Sequence, residues 1–382
     1  MSTVLISGAG IAGPALAFWL RRRGFDVTVV EKSHTPRGGG YPIDIRGTAL
    51  GVVERMGLLP RLREAHVNTR RITFLNADGS QVASIRPEVI TGGDGRDLEV
   101  RRGDLTEILY DTVRDDVEFL FDNSIVALND HARGVDVTFS SDLQRTYDHV
   151  VGADGLHSAV RELTFGPEER FHRYLGYCFA GFTMPNDLGL SHEGVLWNEP
   201  GRAAALYAVG EGENVHGFLS FTRSEAPFGA FRAPEAQRAL VTEVFADDGW
   251  EVPRLLKAMH AADDLFFDTV SQIRMPRWSS GRVALVGDAA HAPSFLTGQG
   301  SSLALVGAYV LARHLGDAPA YEREVRPFVE ANQDLVDVGD AELFPGTAEA
   351  LAARNAALRE RTTMPAEAGR PEHSAFMLPD FE

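Results

Sequence analysis

The chain has 382 residues, 44% of them hydrophobic, which is enough for a large core and two or three domains. Its formal net charge of -17 argues against nucleic acid or anionic lipid as partner, because both recruit clustered Lys and Arg. The single cysteine, Cys178, excludes an intrachain disulfide, a multi-cysteine metal cluster and a redox CxxC pair, and neither HxxH nor HExxH spacing occurs, so no metal site is expected.

From the N-terminus, Val4 to Ser7 is an apolar run without the basic and small-residue flanks of a secretory signal, so a cytoplasmic location is expected. Helical spacing follows from Pro14 to Arg23, and a second apolar run spans Val27 to Val30. Strand, helix and strand are predicted. Pro36-Arg37-Gly38-Gly39-Gly40 lacks side chains that could hold one shape and is expected to be a mobile loop. A helix is predicted from Thr48 to Met56, and Ile72 to Leu75 with the turn Asp78-Gly79 reads as a hairpin. Asp104 to Val113 reads as helix, Val135 to Phe139 as a half-exposed strand, and Val150-Val151 as a buried parallel one.

From Tyr174 to Phe221 aromatic and small residues alternate, which predicts a separate antiparallel sheet. Phe179, Phe182, Phe218 and Phe221 fall on this alternation, so one face should be core and the other free to line an apolar pocket. Helical segments come next between Pro234 and Met259. Val283 to Val286 then returns to the buried-strand pattern ahead of a helix from Ser302 to His314. That apolar stretch is broken by Gly307, Tyr309, Arg313 and His314, short of the roughly 20 residues of a membrane span. The first domain is therefore expected to be discontinuous.

Chemistry enters with Gly8-Ala9-Gly10-Ile11-Ala12-Gly13, set between strand and helix. In such a loop the first glycine makes the turn, the second admits a pyrophosphate, and the third lets helix pack on strand. Glu31, at the end of the second strand, is placed to accept hydrogen bonds from an adenosine ribose. The fingerprint alone does not separate FAD from NAD.

Two later motifs bear on that choice. They are Gly152-Ala153-Asp154-Gly155 with Ser158 and Arg161, and Gly287-Asp288-Ala289-Ala290-His291 followed by Pro293 and Gly298-Gln299-Gly300. With the first loop they resemble the three signatures of the FAD-dependent aromatic hydroxylases of the para-hydroxybenzoate hydroxylase type. The runs Pro42 to Arg46 and Arg102 to Leu105 are most similar to the tetracycline-inactivating flavin monooxygenases of that family.

The resemblance implies an α/β chain in which a Rossmann-like FAD-binding domain (1–75, 98–172 and 272–320) interleaves with an antiparallel substrate domain (76–97 and 173–271). A C-terminal helix over 321–362 and a weakly ordered tail over 363–382 complete the expected layout. It implies FAD as cofactor, with NADPH or NADH as transient electron donor. The implied reaction is hydroxylation of a bulky aromatic or polyketide-like small molecule by O2 through a peroxyflavin, in a monomer or homodimer. The implied cofactor residues are Gly8, Gly10, Ile11, Ala12, Gly13, Glu31, Lys32, Arg46, Arg102, Asp154, Gly287, Asp288, Pro293, Gly298 and Gly300. The backbone of Gly298, Gln299 and Gly300 opens a helix and would stabilise negative charge on the reduced ring. Substrate contacts are expected from Phe179, Phe218, Pro293 and His216, whereas His291 is read as structural. A flavin-dependent halogenase or reductase on the same fold, and a non-catalytic flavin carrier, remain the alternatives; the halogenases' Trp-rich signature is missing.

Overall fold

The computed structural model describes residues 1–36, 38, 40–86, 97–230, 233–336, 345–360 and 370–381. Arg37 and Gly39 of the expected mobile loop lie outside the described residues.

Two large sheets organise the chain. The first runs in the order Ser279–Ser280, Val283–Leu285, His149–Gly152, Thr3–Ser7, Asp26–Val30, Glu118–Leu120, and all its neighbours are parallel except at the Ser279–Ser280 edge. Val4, Leu5, Ile6, Val150 and Val151 are fully buried, which is why these strands read as unbroken apolar runs rather than alternating ones. The helices Ala12–Arg22 and Gly300–Arg313 pack together on this sheet, and the second is buried along nearly its whole length.

The second sheet has seven strands in the order Phe266–Ile273, His172–Pro185, Asn214–Thr222, Arg202–Ala208, Glu193–Glu199, Arg71–Leu75, Gln81–Ile85. Side chains alternate between its faces. Cys178, Ala180, Phe182 and Met184, with Leu219 and Phe221 from the neighbouring strand, are buried under the helices Pro234–Phe245 and Val252–Ala261 through Val241, Phe245, Leu255 and Met259. The register sets Gly181 opposite Phe218 and Tyr207 opposite His216, so Phe179, Phe218, His216 and Tyr207 share the other face. A two-stranded ribbon, Pro42–Ile45 with Leu98–Arg101, places Asp44 opposite Glu99.

Three expectations are corrected. The first domain boundary falls before Arg71 rather than after residue 75, because Arg71–Leu75 pairs with Gln81–Ile85 on one side and with Glu193–Glu199 on the other. A cut at 75 would divide a hairpin. The strand Phe266–Ile273 likewise carries Gln272 and Ile273 into the second sheet. The single helix expected over 321–362 is two described helices, Ala318–Gln333 and Ala348–Glu360, with 337–344 and 361–362 outside the described residues. The tail from 370 to 381 is tied down: Phe376, Leu378 and Phe381 pack on the first core, and the Tyr309 hydroxyl donates to the Pro379 carbonyl at 2.5 Å. Thr48 donates to the Phe376 carbonyl at 2.8 Å.

Candidate active site

The glycine loop after Thr3–Ser7 is shaped by three different constraints. Gly8 has φ +107°, and a Cβ there would lie 2.5 Å from the Ala153 carbonyl oxygen. A Cβ at Gly13 would lie 1.9 Å from the Gly8 carbonyl oxygen, so only glycine lets this helix reach the loop. At Gly10 the nearest atom to a built Cβ is an Arg102 guanidinium nitrogen, 3.9 Å away. The middle glycine therefore faces open space with a cation across it. Ile11 and Ala12 begin a helix whose first turn has neither an acidic residue nor a side-chain cap, leaving its amide end free for an anion.

Glu31 is buried and already braces this loop, accepting from Ala9 N at 2.8 Å and Ser33 N at 3.0 Å. Each oxygen keeps one further lone pair. Lys32, its neighbour, is exposed. In the second motif the Asp154 carboxylate accepts from Ser158 Oγ at 2.5 Å and Val160 N at 3.2 Å, holding the start of the helix Ala159–Phe165. Burial raises its carboxyl above the ordinary range. Arg161 is completely buried and donates to the carbonyls of Ala289 at 3.0 Å and Leu156 at 2.5 Å and to Glu168 at 2.6 Å. It locks the second motif onto the third.

In that third motif Gly287 has φ +64°, and its Cβ would stand 3.1 Å from the Ala12 Cβ, where the two domain helices meet. Asp288 is exposed into the cleft beside Gly300, yet protein surrounds it closely enough that burial raises its carboxyl, with the Arg102 charge opposing. Pro293 is buried, and its carbonyl accepts from Gln272 Nε2 at 3.0 Å. Gly298 has φ +63°; its Cβ position lies 3.1 Å from Asp44 Oδ2 and 3.8 Å from an Arg46 nitrogen. Gln299 is fully buried, and neither polar atom of its side-chain amide has a hydrogen-bond partner in the protein. The helix Gly300–Arg313 starts without an acidic residue or a side-chain cap. A glycine cradle, an arginine at each of two glycine loops, an exposed carboxylate, an unmatched buried amide and two uncapped helix starts form a set that suits a flavin dinucleotide.

An aromatic patch on the second sheet lies against this loop through Phe295. Phe179 stacks on Phe218 at 5.5 Å between centroids, and Tyr41 stands 6.0 Å from the first and 6.2 Å from the second. Phe295, beside the glycine loop, lies 5.2 Å from Phe179, and Phe266 lies 6.2 Å from it. Both of these outer rings are partly exposed, Phe266 at 41% and Phe295 at 40%.

A family model described as FAD binding domain matches residues 1–324. A flavin-dependent monooxygenase of Legionella longbeachae is 36% identical over 338 residues, covering 86% of each chain. The chain belongs to the FAD-dependent monooxygenases. An uncharacterised protein of Mycobacterium tuberculosis is 44% identical to this monooxygenase, over 88% of this chain and 93% of its own. The crystal structure of tetracycline destructase Tet(51) superposes with a TM-score of 0.86 at 31% identity, covering 100% of both chains.

In the monooxygenase the tertiary structure brings together residues from every motif and adds several that motif reading did not select. Tyr41, Phe266 and Phe295 join the expected Phe179 and Phe218, whereas Phe182 and Phe221 are buried in the opposite face. His216 sits on the cavity face, half-buried, and burial followed by the Arg101 charge lowers its pKa, which keeps it neutral at pH 7. His291 is 1% exposed beside Trp278, and burial lowers its pKa to about 3, so it is an uncharged core residue. Glu99, Tyr207 and Thr69 were also missed. Only the nearness of Glu99 to the Arg102 run, and of Asp44 to Arg46, could have signalled them. Among the described residues no group of His, Cys, Asp and Glu forms a metal site, and no helix is long and apolar enough to cross a membrane.

Proposed function

We propose that this monooxygenase binds FAD across the three motifs and, consuming NADPH or NADH, inserts one atom of O2 into a bulky aromatic or polyketide-like small molecule. Gly8 to Gly13 and Arg102 would hold the pyrophosphate, Glu31 the adenosine ribose, Asp288 the ribityl chain, and Arg46 with the Gly298 to Gly300 backbone the ring. The flavin, once bound and reduced, supplies the activated oxygen. The protein orients substrate, excludes water and stabilises charge on the ring.

The observation that carries this reading is the aromatic patch of Tyr41, Phe179, Phe218, Phe266 and Phe295 facing the Gly298 loop. Flat, apolar, partly exposed rings suit a flat, multi-ring ligand. The likeness to a tetracycline destructase supports the same class and makes tetracycline the first compound to try. His216 would contact the substrate from the same face. One chain carries a single dinucleotide fingerprint, so the nicotinamide donor would dock transiently between the two sheets rather than in a domain of its own.

The test is consumption of NADPH and NADH by the FAD-loaded protein with a panel running from simple phenols to tetracycline, with product mass read in parallel. A compound that speeds consumption and gains one oxygen atom supports the reading. Nicotinamide consumption that no compound of the panel stimulates, with peroxide as its only product, rejects the substrate class.

A further inference from the structure

The hydroxyl of Tyr207 lies 2.9 Å from Glu99 Oε1 and that of Thr69 3.1 Å from Glu99 Oε2, and the two hydroxyls also hydrogen-bond each other, so two protons serve three contacts. Glu99 faces Asp44 across the paired strands Leu98–Arg101 and Pro42–Ile45. Asp44 accepts from Arg46 at 2.9 Å, and its Oδ2 comes within 3.1 Å of the Cβ position at Gly298. On the other side Tyr207 lies opposite His216, two residues from Phe218 on the cavity face. Glu99 thus stands between two neighbours, the Asp44 that touches the loop assigned to the flavin ring and the Tyr207 that lies opposite His216 at the polar end of the aromatic patch.

A carboxylate oxygen can accept more than one hydrogen bond, so the two hydroxyls, which also bond each other, orient Glu99 and leave lone pairs on it for a further donor. The groups that face it are Asp44 on the paired strand with Arg46 just past its end, the hydroxyls of Tyr207 and Thr69, and His66, whose ring lies 3.1 Å from the Glu99 backbone nitrogen. Beyond Tyr207 stand His216 and Arg101. Burial first, and then the Asp44 charge, raise the Glu99 carboxyl to about 7, against the pull of the two hydroxyls and Arg46. A group with such a value is charged or neutral according to small changes near it, as an acceptor working at neutral pH requires.

The geometry points to Glu99 as the acceptor of the proton from an acidic hydroxyl of the substrate, a phenol or an enol, and to that hydroxyl as the feature the cavity selects. This rests on the function proposed above. In the step, the substrate O–H bond breaks and its electron pair stays on the substrate oxygen. The proton forms an O–H bond on Glu99, so one negative charge passes from protein to substrate. The ring carbons of the resulting anion are richer in electrons and better prepared to take up oxygen. Tyr207 and Thr69 are positioning residues for Glu99.

The probes are 2-naphthol and its methyl ether, bound to the FAD-loaded protein and measured by equilibrium dialysis from about pH 5 to pH 8, a range bracketing Glu99. The affinity for 2-naphthol should fall up to tenfold per pH unit below about 7, as Glu99 gains its own proton, while the ether, which has none to give, shows no such fall. Glu99→Gln should abolish the pH dependence. Tyr207→Phe removes a donor that lowers the Glu99 pKa, so the midpoint should move to higher pH. A purely structural cluster would respond equally to naphthol and ether. A pH dependence that survives in Glu99→Gln, or its absence in the wild type, overturns the inference. Should Glu99→Gln fail to retain FAD, Tyr207→Phe decides: a raised midpoint supports the assignment and an unchanged one overturns it. If neither probe binds the FAD-loaded wild type, the aromatic substrate class falls, and the role of Glu99 falls with it.

Discussion

The guanidinium of Arg161 donates to the carbonyl of Ala289 across 3.0 Å, and neither residue has contact with solvent. Since Arg161 also holds Glu168 and the Leu156 carbonyl, it fixes the Asp154 turn against the segment that carries Asp288. Replacing it by Met would leave two carbonyls without donors and Glu168 without its buried cation. Breaking such a pair from one side costs about 3–5 kcal/mol. Arg161→Met should therefore lower the denaturation midpoint strongly and reduce FAD occupancy, and Arg161→Lys should rescue little, because an ammonium cannot serve three fixed acceptors in a plane. Urea unfolding with flavin content read in parallel checks both.

The three loop glycines should separate folding from binding. Gly10→Ala meets nothing closer than 3.9 Å, so it should fold normally. Gly10→Val, bulkier on the side where a pyrophosphate would approach, should also fold but lose FAD. Gly13→Ala puts a methyl 1.9 Å from the Gly8 carbonyl oxygen and should destabilise the fold even without cofactor. Thermal melts of the cofactor-free proteins, followed by FAD titration, distinguish the two behaviours. Asp288→Ala should resemble Gly10→Val, folding while losing flavin.

Opposite faces of one strand should give opposite phenotypes. Phe182, 3% exposed in the core under the Val252–Ala261 helix, should cost about 3–5 kcal/mol of stability when cut to Ala. Phe179→Ala, on the half-buried cavity face, should cost much less stability and instead weaken binding of an aromatic ligand. His216→Ala should leave FAD content unchanged and act on ligand affinity alone. Calorimetric unfolding and ligand titration on the same three variants check the assignment of faces.

His157 sits between Glu168 at 2.8 Å and Asp268 at 3.2 Å, joining the second motif to the second sheet. Burial works against its charge, but the hydrogen bonds to Asp268 and Glu168 outweigh it and hold the pKa at about 9. A folded-state pKa raised above the ordinary histidine value of about 6.5 gives stability that is complete below that value and lost as pH rises through about 9. Wild-type stability should decline across this window, and His157→Gln should flatten the decline. The side chain is partly open to solvent, so the effect should also shrink with added salt. Denaturant midpoints at several pH values, in low and high salt, provide the measurement.

The sequence by itself determined the features that depend on a residue and its near neighbours. Gly8 must reach φ +107° and Gly13 must admit a carbonyl, and both demands are met only by glycine wherever the rest of the chain goes. The apolar run at Val4 to Ser7 announced a strand and that at Val150-Val151 a buried parallel one for the same local reason, and alternation from Tyr174 to Phe221 announced a sheet with two unlike faces. The tertiary structure alone decided which face was which. Phe179 and Phe182 are the same residue type three positions apart, and only the helices docked over Phe182 make it core. It likewise decided that Arg71–Leu75 joins a strand more than a hundred residues away, that the tail docks through Phe376, Leu378 and Phe381, and that Glu99 meets Asp44, Thr69 and Tyr207. Strand register and docking are set by the summed burial of many side chains, so no short window of sequence contains them.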